Sequence, residues 1–264
     1  MGLKNKALFY SKKALKESPG SEEAILEAAM ALRLAGKRKR AQALFYSLIR
    51  LYSSSKDFAG LSYVWWAMGG LKRNYGELAA AVSCFEKSFS FAVKARDRSL
   101  KVYALFGLAG ALRIKGEIEK SAAVYRKAAS YAPADDIFAK AYSFCGLANA
   151  LRQKGGVKKA LALYRRSGKL YSAMGDKPDL GFVSWGMGEI LKKQGNFKAA
   201  ISNFRKAYHL FKAGMEKRGE ILSLFSMAQS LYALGRIKEA DKMYFSALKE
   251  ARKENFKTYL EIFT

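Results

Sequence analysis

The chain has 264 residues, half of them hydrophobic, and only three prolines, enough for a large core and for long uninterrupted helices. Lysine and arginine number 48 against 22 acidic residues, a formal net charge of +26. That imbalance favours anionic partners: acidic peptides, nucleic acid or lipid headgroups.

The first residues, MGLKNKALFYSKKALK, lack the apolar core of a signal peptide because lysines interrupt them every few positions. Gly2 does not read as a myristoylation site, since Lys6 stands where Ser or Thr is needed. The longest apolar run, Tyr63 to Leu71, is far too short to cross a bilayer. A soluble cytoplasmic protein is expected. The two cysteines, Cys84 and Cys145, have neither metal nor redox spacing and read as free buried thiols of a reducing compartment.

Self-similarity organises the rest. Gly36, Gly76, Gly116, Gly155, Gly195 and Gly235 recur at steps of 40, 40, 39, 40 and 40 residues. Each ends a segment of helical periodicity, as expected of a helix C-terminal residue with positive φ. With Gly116 as position 15, the repeats start at Glu22, Ser62, Val102, Ala141, Gly181 and Ile221. Position 8 is then always Ala or Gly, position 20 always Ala or Ser, and position 24 always aromatic (Phe45, Phe85, Tyr125, Tyr164, Phe204, Tyr244). Small residues let two helices approach, and the ring fills the space beside them, so each hairpin must stack on its neighbours to bury its face.

This pattern resembles the tetratricopeptide repeat family over almost the whole chain, in its 40-residue form, as in kinesin light chain and the Pins-type adaptors. Pro133 matches the family's proline at position 32; position 11 departs from aromatic to leucine in most repeats, and to Lys72 in one. Ser184 beside Trp185 departs at position 4. The connectors ARDRS at Ala95, MGDKP at Met174 and GMEKR at Gly214 sit at matching places, where the extra residues extend the second helix or its exit turn. The resemblance implies an all-α fold: one right-handed superhelix, or solenoid, over residues 1–264, with six full hairpins. Before them comes a half repeat at 4–19, and residues 261–264 begin a further one. No polar capping helix is evident at either end, so the expectation is a piece of a longer array, or ends that pack on something.

Catalysis is not indicated, and no cofactor or metal is expected. His209 is the only histidine, which excludes multi-histidine metal sites. The glycine-rich stretches AMGGLKRNYG and WGMGEILKKQG lack P-loop spacing and fall inside first helices. Glu117, Glu119 and Glu189 fall on different helices with no evident pairing. The run Lys37–Arg40 and the pair Lys158 and Lys159 read as solvated cations at the turns between helices.

In the family, positions 2, 5, 9 and 12 of the first helices face the concave groove. Position 12 here is a ladder of cations: Arg33, Arg73, Arg113, Arg152 and Lys192. Positions 2 and 5 supply Tyr63, Trp66, Tyr103, Phe106, Tyr142, Phe182 and Trp185, while Gly110 and Asn149 stand at position 9. Glu189, also at position 9, breaks the sign and marks a place for a cationic group of the ligand. Arginine forks a carboxylate and also stacks on rings. Helices about 10 Å apart would meet an extended peptide at roughly every third residue. The expected function is a non-enzymatic scaffold that binds an extended acidic and aromatic peptide segment of a partner protein. The alternatives are binding of single-stranded RNA or DNA, for which arginine beside aromatics also serves, and self-association through the incomplete terminal repeats.

Overall fold

The computed structural model describes residues 3–254, and every regular element among them is an α-helix. In order these are α1 (Leu3–Glu17), α2 (Glu22–Leu34), α3 (Arg38–Ser54), α4 (Phe58–Asn74), α5 (Leu78–Lys94), α6 (Arg98–Ile114) and α7 (Ile118–Tyr131). They continue with α8 (Ile137–Gln153), α9 (Val157–Met174), α10 (Lys177–Lys193), α11 (Phe197–Ala213), α12 (Lys217–Ala233) and α13 (Ile237–Lys253). Even-numbered helices are the first members of the hairpins, and the odd-numbered ones that follow are their partners. The half repeat forms α1, while the start of a further repeat at 261–264 lies outside the described residues.

Helix ends follow from residues visible in the sequence. All six repeat glycines adopt the left-handed conformation, with φ between 70° and 90°. The connectors are N-caps: Asp57, Asp97, Asp136 and Asp176 each accept a hydrogen bond from the backbone N–H three residues on, which opens α4, α6, α8 and α10. One residue before Asp57 and Asp97, and before the Glu216 cap of α12, the chain takes positive φ without glycine, at Lys56, Arg96 and Met215. Gly175 fills the equivalent place before Asp176.

Packing between the helices is decided by rings resting on glycine. A Cβ on Gly69 would stand 2.8 Å from the Phe85 ring, and one on Gly107 only 2.2 Å from it. One side chain of α5 thus seats itself on its own first helix and on that of the next repeat. Tyr125 against Gly146 (2.1 Å) and Tyr164 against Gly186 (2.4 Å) repeat the contact with the next first helix, and Phe204 against Gly188 (2.6 Å) the contact with its own. A second ring tier lies at the helix exits, where Phe211 meets Gly181 and Gly219, and Tyr52 meets Gly60. Burial of each ring contributes about 2–3 kcal/mol, and the missing Cβ allows the backbones to close on it.

The helices form two compact units, one of Met1–Glu117 with Ser130–Ala132, the other of Ile118–Ala129 with Pro133–Thr264. In the first, α4 packs on α3, α5 and α6, and α1 packs on α2. Ser62 and Ser88 clasp α4 and α5 there, each hydroxyl donating to the other residue's carbonyl, at 3.0 and 2.8 Å. In the second, α10 packs on α8 and α12 as well as on α9 and α11. First helices therefore lie directly against one another, whereas α9 and α11 pack chiefly on first helices. Closer spacing on the first-helix side makes that side the inner face of the unit.

Candidate functional site

The candidate residues divide between the units, and each set has its own geometry. In the first unit, α2 supplies Arg33; α4 supplies Tyr63, Trp66 and Arg73; and α6 supplies Tyr103, Phe106, Gly110 and Arg113. The Arg33 guanidinium lies 5.9 Å over the Trp66 ring, and Arg73 lies 6.0 Å over Phe85. Gly70 makes room for the first of these, because a Cβ there would stand 2.9 Å from Arg33 Nη1. Tyr63 leans on Trp66 at 5.7 Å between centroids, and Tyr103 meets Phe106 edge-on at 6.2 Å. The two tyrosines are the outward members of these pairs, 36% and 42% exposed, while Phe106 and Gly110 are buried. The Arg113 Nε is buried with no hydrogen-bond partner among the described residues.

In the second unit the residues are linked by hydrogen bonds. On α8, Asn149 Oδ1 accepts from the Tyr164 hydroxyl at 2.8 Å, and that hydroxyl accepts from Arg152 Nε at 3.3 Å. Arg152 is thereby held with its guanidinium 5.3 Å over the ring of Trp185 on α10. The Trp185 indole N–H donates to Ser226 Oγ at 3.0 Å, and Ser226 donates to Glu189 Oε1 at 3.0 Å. Lys192 Nζ lies 2.9 Å from the same carboxylate and donates to Gln229 Oε1 at 2.8 Å. Tyr142 tilts against Phe138 of the same helix at 5.8 Å, and Phe182 of α10 packs edge-on against Phe211 of α11 at 4.7 Å.

Several residues take parts the repeat pattern does not announce. Tyr164, a packing ring by its position, carries the hydroxyl that orients both Asn149 and Arg152. Its signal is a tyrosine at position 24 in the repeat that has Asn at 9 and Arg at 12. Ser226 and Gln229 tie α12 to α10, with only their small or polar character to mark them. Glu189 is neutralised by Lys192 one turn along its own helix. Arg38 is the first residue of α3, stacked 4.8 Å over Tyr75 and paired with Glu77, so it is anchored and not simply solvated.

Cys84 and Cys145 are free and buried, and burial pushes the Cys84 thiol up although Lys87 and Lys72 pull it down. A thiol so placed is a poor nucleophile at neutral pH. Asp179, near the start of α10, is pushed up to about 7, first by burial and then by the charge of Asp176, with a smaller effect of Glu216. Among the described residues no group of three His, Cys, Asp or Glu side chains gathers as metal ligands would. No described helix is long and apolar enough to cross a membrane.

A family profile described as "Tetratricopeptide repeat" matches residues 102–135 and 185–211. No curated protein matches the sequence. Among solved structures, the Rap protein complexed with competence and sporulation factor superposes with a TM-score of 0.73 at 14% identity, covering 98% of this chain and 75% of that one. A chain of the APC/C hetero-tetramer Cut9–Hcn1 gives 0.67 at 16% identity, covering 93% of this chain and 43% of that one. BtubC (BKLC) from P. vanneervenii gives 0.58 at 13% identity, covering 97% and 93%. Identities this low speak for the fold alone. Hairpins of 40-residue period, rings seated on small residues, a profile matching these two segments and these neighbours agree on the fold: paired α-helical hairpins similar to those of tetratricopeptide repeats.

Proposed function

We propose that the first-helix face binds an extended segment of a partner protein that carries carboxylates and aromatic or apolar side chains. The observation that carries this reading is the placement of Arg152 over Trp185. Its Nε is engaged by Tyr164, which fixes the guanidinium plane and turns the two terminal nitrogens to the carboxylate of a ligand. The ring beneath strengthens the cation's hold and offers apolar area beside it. Arg33 over Trp66 is the same device in the first unit. Arg73 and Arg113 supply further cations there, and Tyr63 and Tyr103 the exposed apolar edges. Lys192 is spent on Glu189 and Gln229, so it contributes less than the arginines. Free buried thiols suit the reducing interior of a cell.

The test is binding of synthetic peptides of about a dozen residues, rich in Asp, Glu and Tyr, to the full chain. The Arg113→Gln and Arg152→Gln double variant should lose affinity at least tenfold, with helicity by circular dichroism unchanged. Equal affinity in wild type and double variant would overturn the reading.

A further inference from the structure

The outer face of the second unit carries a different signal. Helix α9 has five cations, Lys158, Lys159, Arg165, Arg166 and Lys169, and no acidic residue. Helix α11 has four, Lys198, Arg205, Lys206 and Lys212, and again no acidic residue. All nine are exposed. The two sets are in register: Arg165 and Arg166 on α9 recur 40 residues later as Arg205 and Lys206 on α11. Positions spaced by three, four and seven residues share a helix face, so each helix presents one continuous exposed basic strip. Helix α13 does not extend it, because Glu239, Asp241 and Glu250 mix the signs there.

None of Lys158, Lys159, Arg165 or Lys169 forms a salt bridge among the described residues, nor does any cation of α11. A protein that leaves two neighbouring strips uncompensated accepts self-repulsion that interspersed glutamates would relieve. Arg166 is braced over the Phe144 ring at 4.4 Å, which stiffens the strip. Large apolar side chains are nearly missing from it: Met174, at the end of α9, is the one exposed large hydrophobic residue of the two helices. That composition separates the polyanions. Single strands call for aromatic platforms on which bases stack, and a membrane surface calls for an apolar stripe beside the cations. A phosphate backbone needs cations alone.

We infer that the outer face of α9 and α11 is a docking surface for the phosphate backbone of a nucleic-acid duplex, read without regard to sequence. From Lys158 to Lys169 the strip is about 16 Å long at the helical rise. Along that distance a duplex presents roughly ten phosphates, one for about every 1.7 Å of axis. None of these nine cations belongs to the proposed peptide groove, so the two are separable by mutation.

The experiment is fluorescence anisotropy of the full chain with two unrelated 20-base-pair duplexes at about 50 to 200 mM salt. Wild type should bind both equally, with a log–log salt slope of about −4 to −6. The quadruple variant Arg165→Gln, Arg166→Gln, Arg205→Gln, Lys206→Gln should flatten the slope by about 3 to 4 and weaken binding by roughly 10²–10³-fold at 0.1 M salt. The groove variant Arg113→Gln, Arg152→Gln should bind duplex as wild type does, even if it no longer binds peptide. A charge-matched control, Lys37→Gln, Lys39→Gln, Arg40→Gln, Arg50→Gln, removes four cations from the first unit. A loss there as large as in the quadruple variant would mean diffuse attraction and overturn the assignment. So would the absence of duplex binding, or preference at equal salt for phosphatidylserine vesicles or a poly-glutamate peptide over duplex. Should the quadruple variant fail to fold, Lys158→Gln, Lys159→Gln, Lys198→Gln on the same strips must show the same direction of change.

Discussion

The guanidinium of Arg152 lies 5.3 Å over the ring of Trp185, a residue of the following repeat, and is steadied there by the Tyr164 hydroxyl. The contact helps bind α8 to α10, and under the proposed function it also aims a cation at the ligand. A double-mutant cycle with Arg152→Gln and Trp185→Leu should show a coupling of about 0.5–2 kcal/mol in urea unfolding, toward the lower end because both side chains are partly exposed.

Tyr164→Phe removes only the hydroxyl shared by Asn149 and Arg152. Stability should fall by about 0.5–1.5 kcal/mol. Affinity for acidic peptides should fall several-fold as Arg152 loses its orientation. A variant with unaltered peptide affinity would show that the groove does not depend on this support.

Gly146→Ala places a methyl group where the Tyr125 ring already stands, 2.1 Å away. The expected loss is about 1–3 kcal/mol by overpacking. Combining it with Tyr125→Leu, which vacates part of the ring's volume, should recover some of that loss. Strict additivity of the two changes would argue against direct contact.

Position 6 shows where sequence reading stopped. Repeat length, turn glycines and the aromatic at position 24 were legible because six copies agree on them. Gly107, Gly146 and Gly186 recur at position 6 of three successive repeats, and each is the seat for the preceding repeat's ring. A glycine within a helix looks like a weakness until its neighbour is known, and that neighbour comes from another hairpin. The polar network was hidden for the same reason: Trp185, Ser226 and Glu189 span two repeats, so spacing within one repeat says nothing of them.

Lys56, Arg96 and Met215 hold left-handed backbone at φ 56°, 57° and 56°. Replacing each by glycine should relieve about 1 kcal/mol of conformational strain, partly offset by the greater entropy of the unfolded chain. Thermal unfolding should show a small net gain for Met215→Gly, whose side chain is 72% exposed and gives up little packing.

Asp179 makes stability depend on pH. Its folded-state pKa of about 7 exceeds the ordinary value of 3.8. Between those values the folded chain keeps a proton that the unfolded chain releases, so stability falls as pH rises through this window. Asp179→Asn should remove that decline and raise stability at pH 8 by on the order of 2 kcal/mol, given partial exposure. Urea titrations of both proteins at pH 5 and pH 8 measure the effect.

Phe85 rests on a glycine of its own hairpin and on a glycine of the next one. Every junction built this way presents the same joint, a ring offered forward and a gap awaiting the ring from behind. Hairpins duplicated or deleted between the joints Phe85–Gly107, Tyr125–Gly146 and Tyr164–Gly186 should keep each ring opposite a glycine. Array length becomes a quantity that genetic duplication can tune in single repeats, while a break at any other phase would strand a ring without its seat.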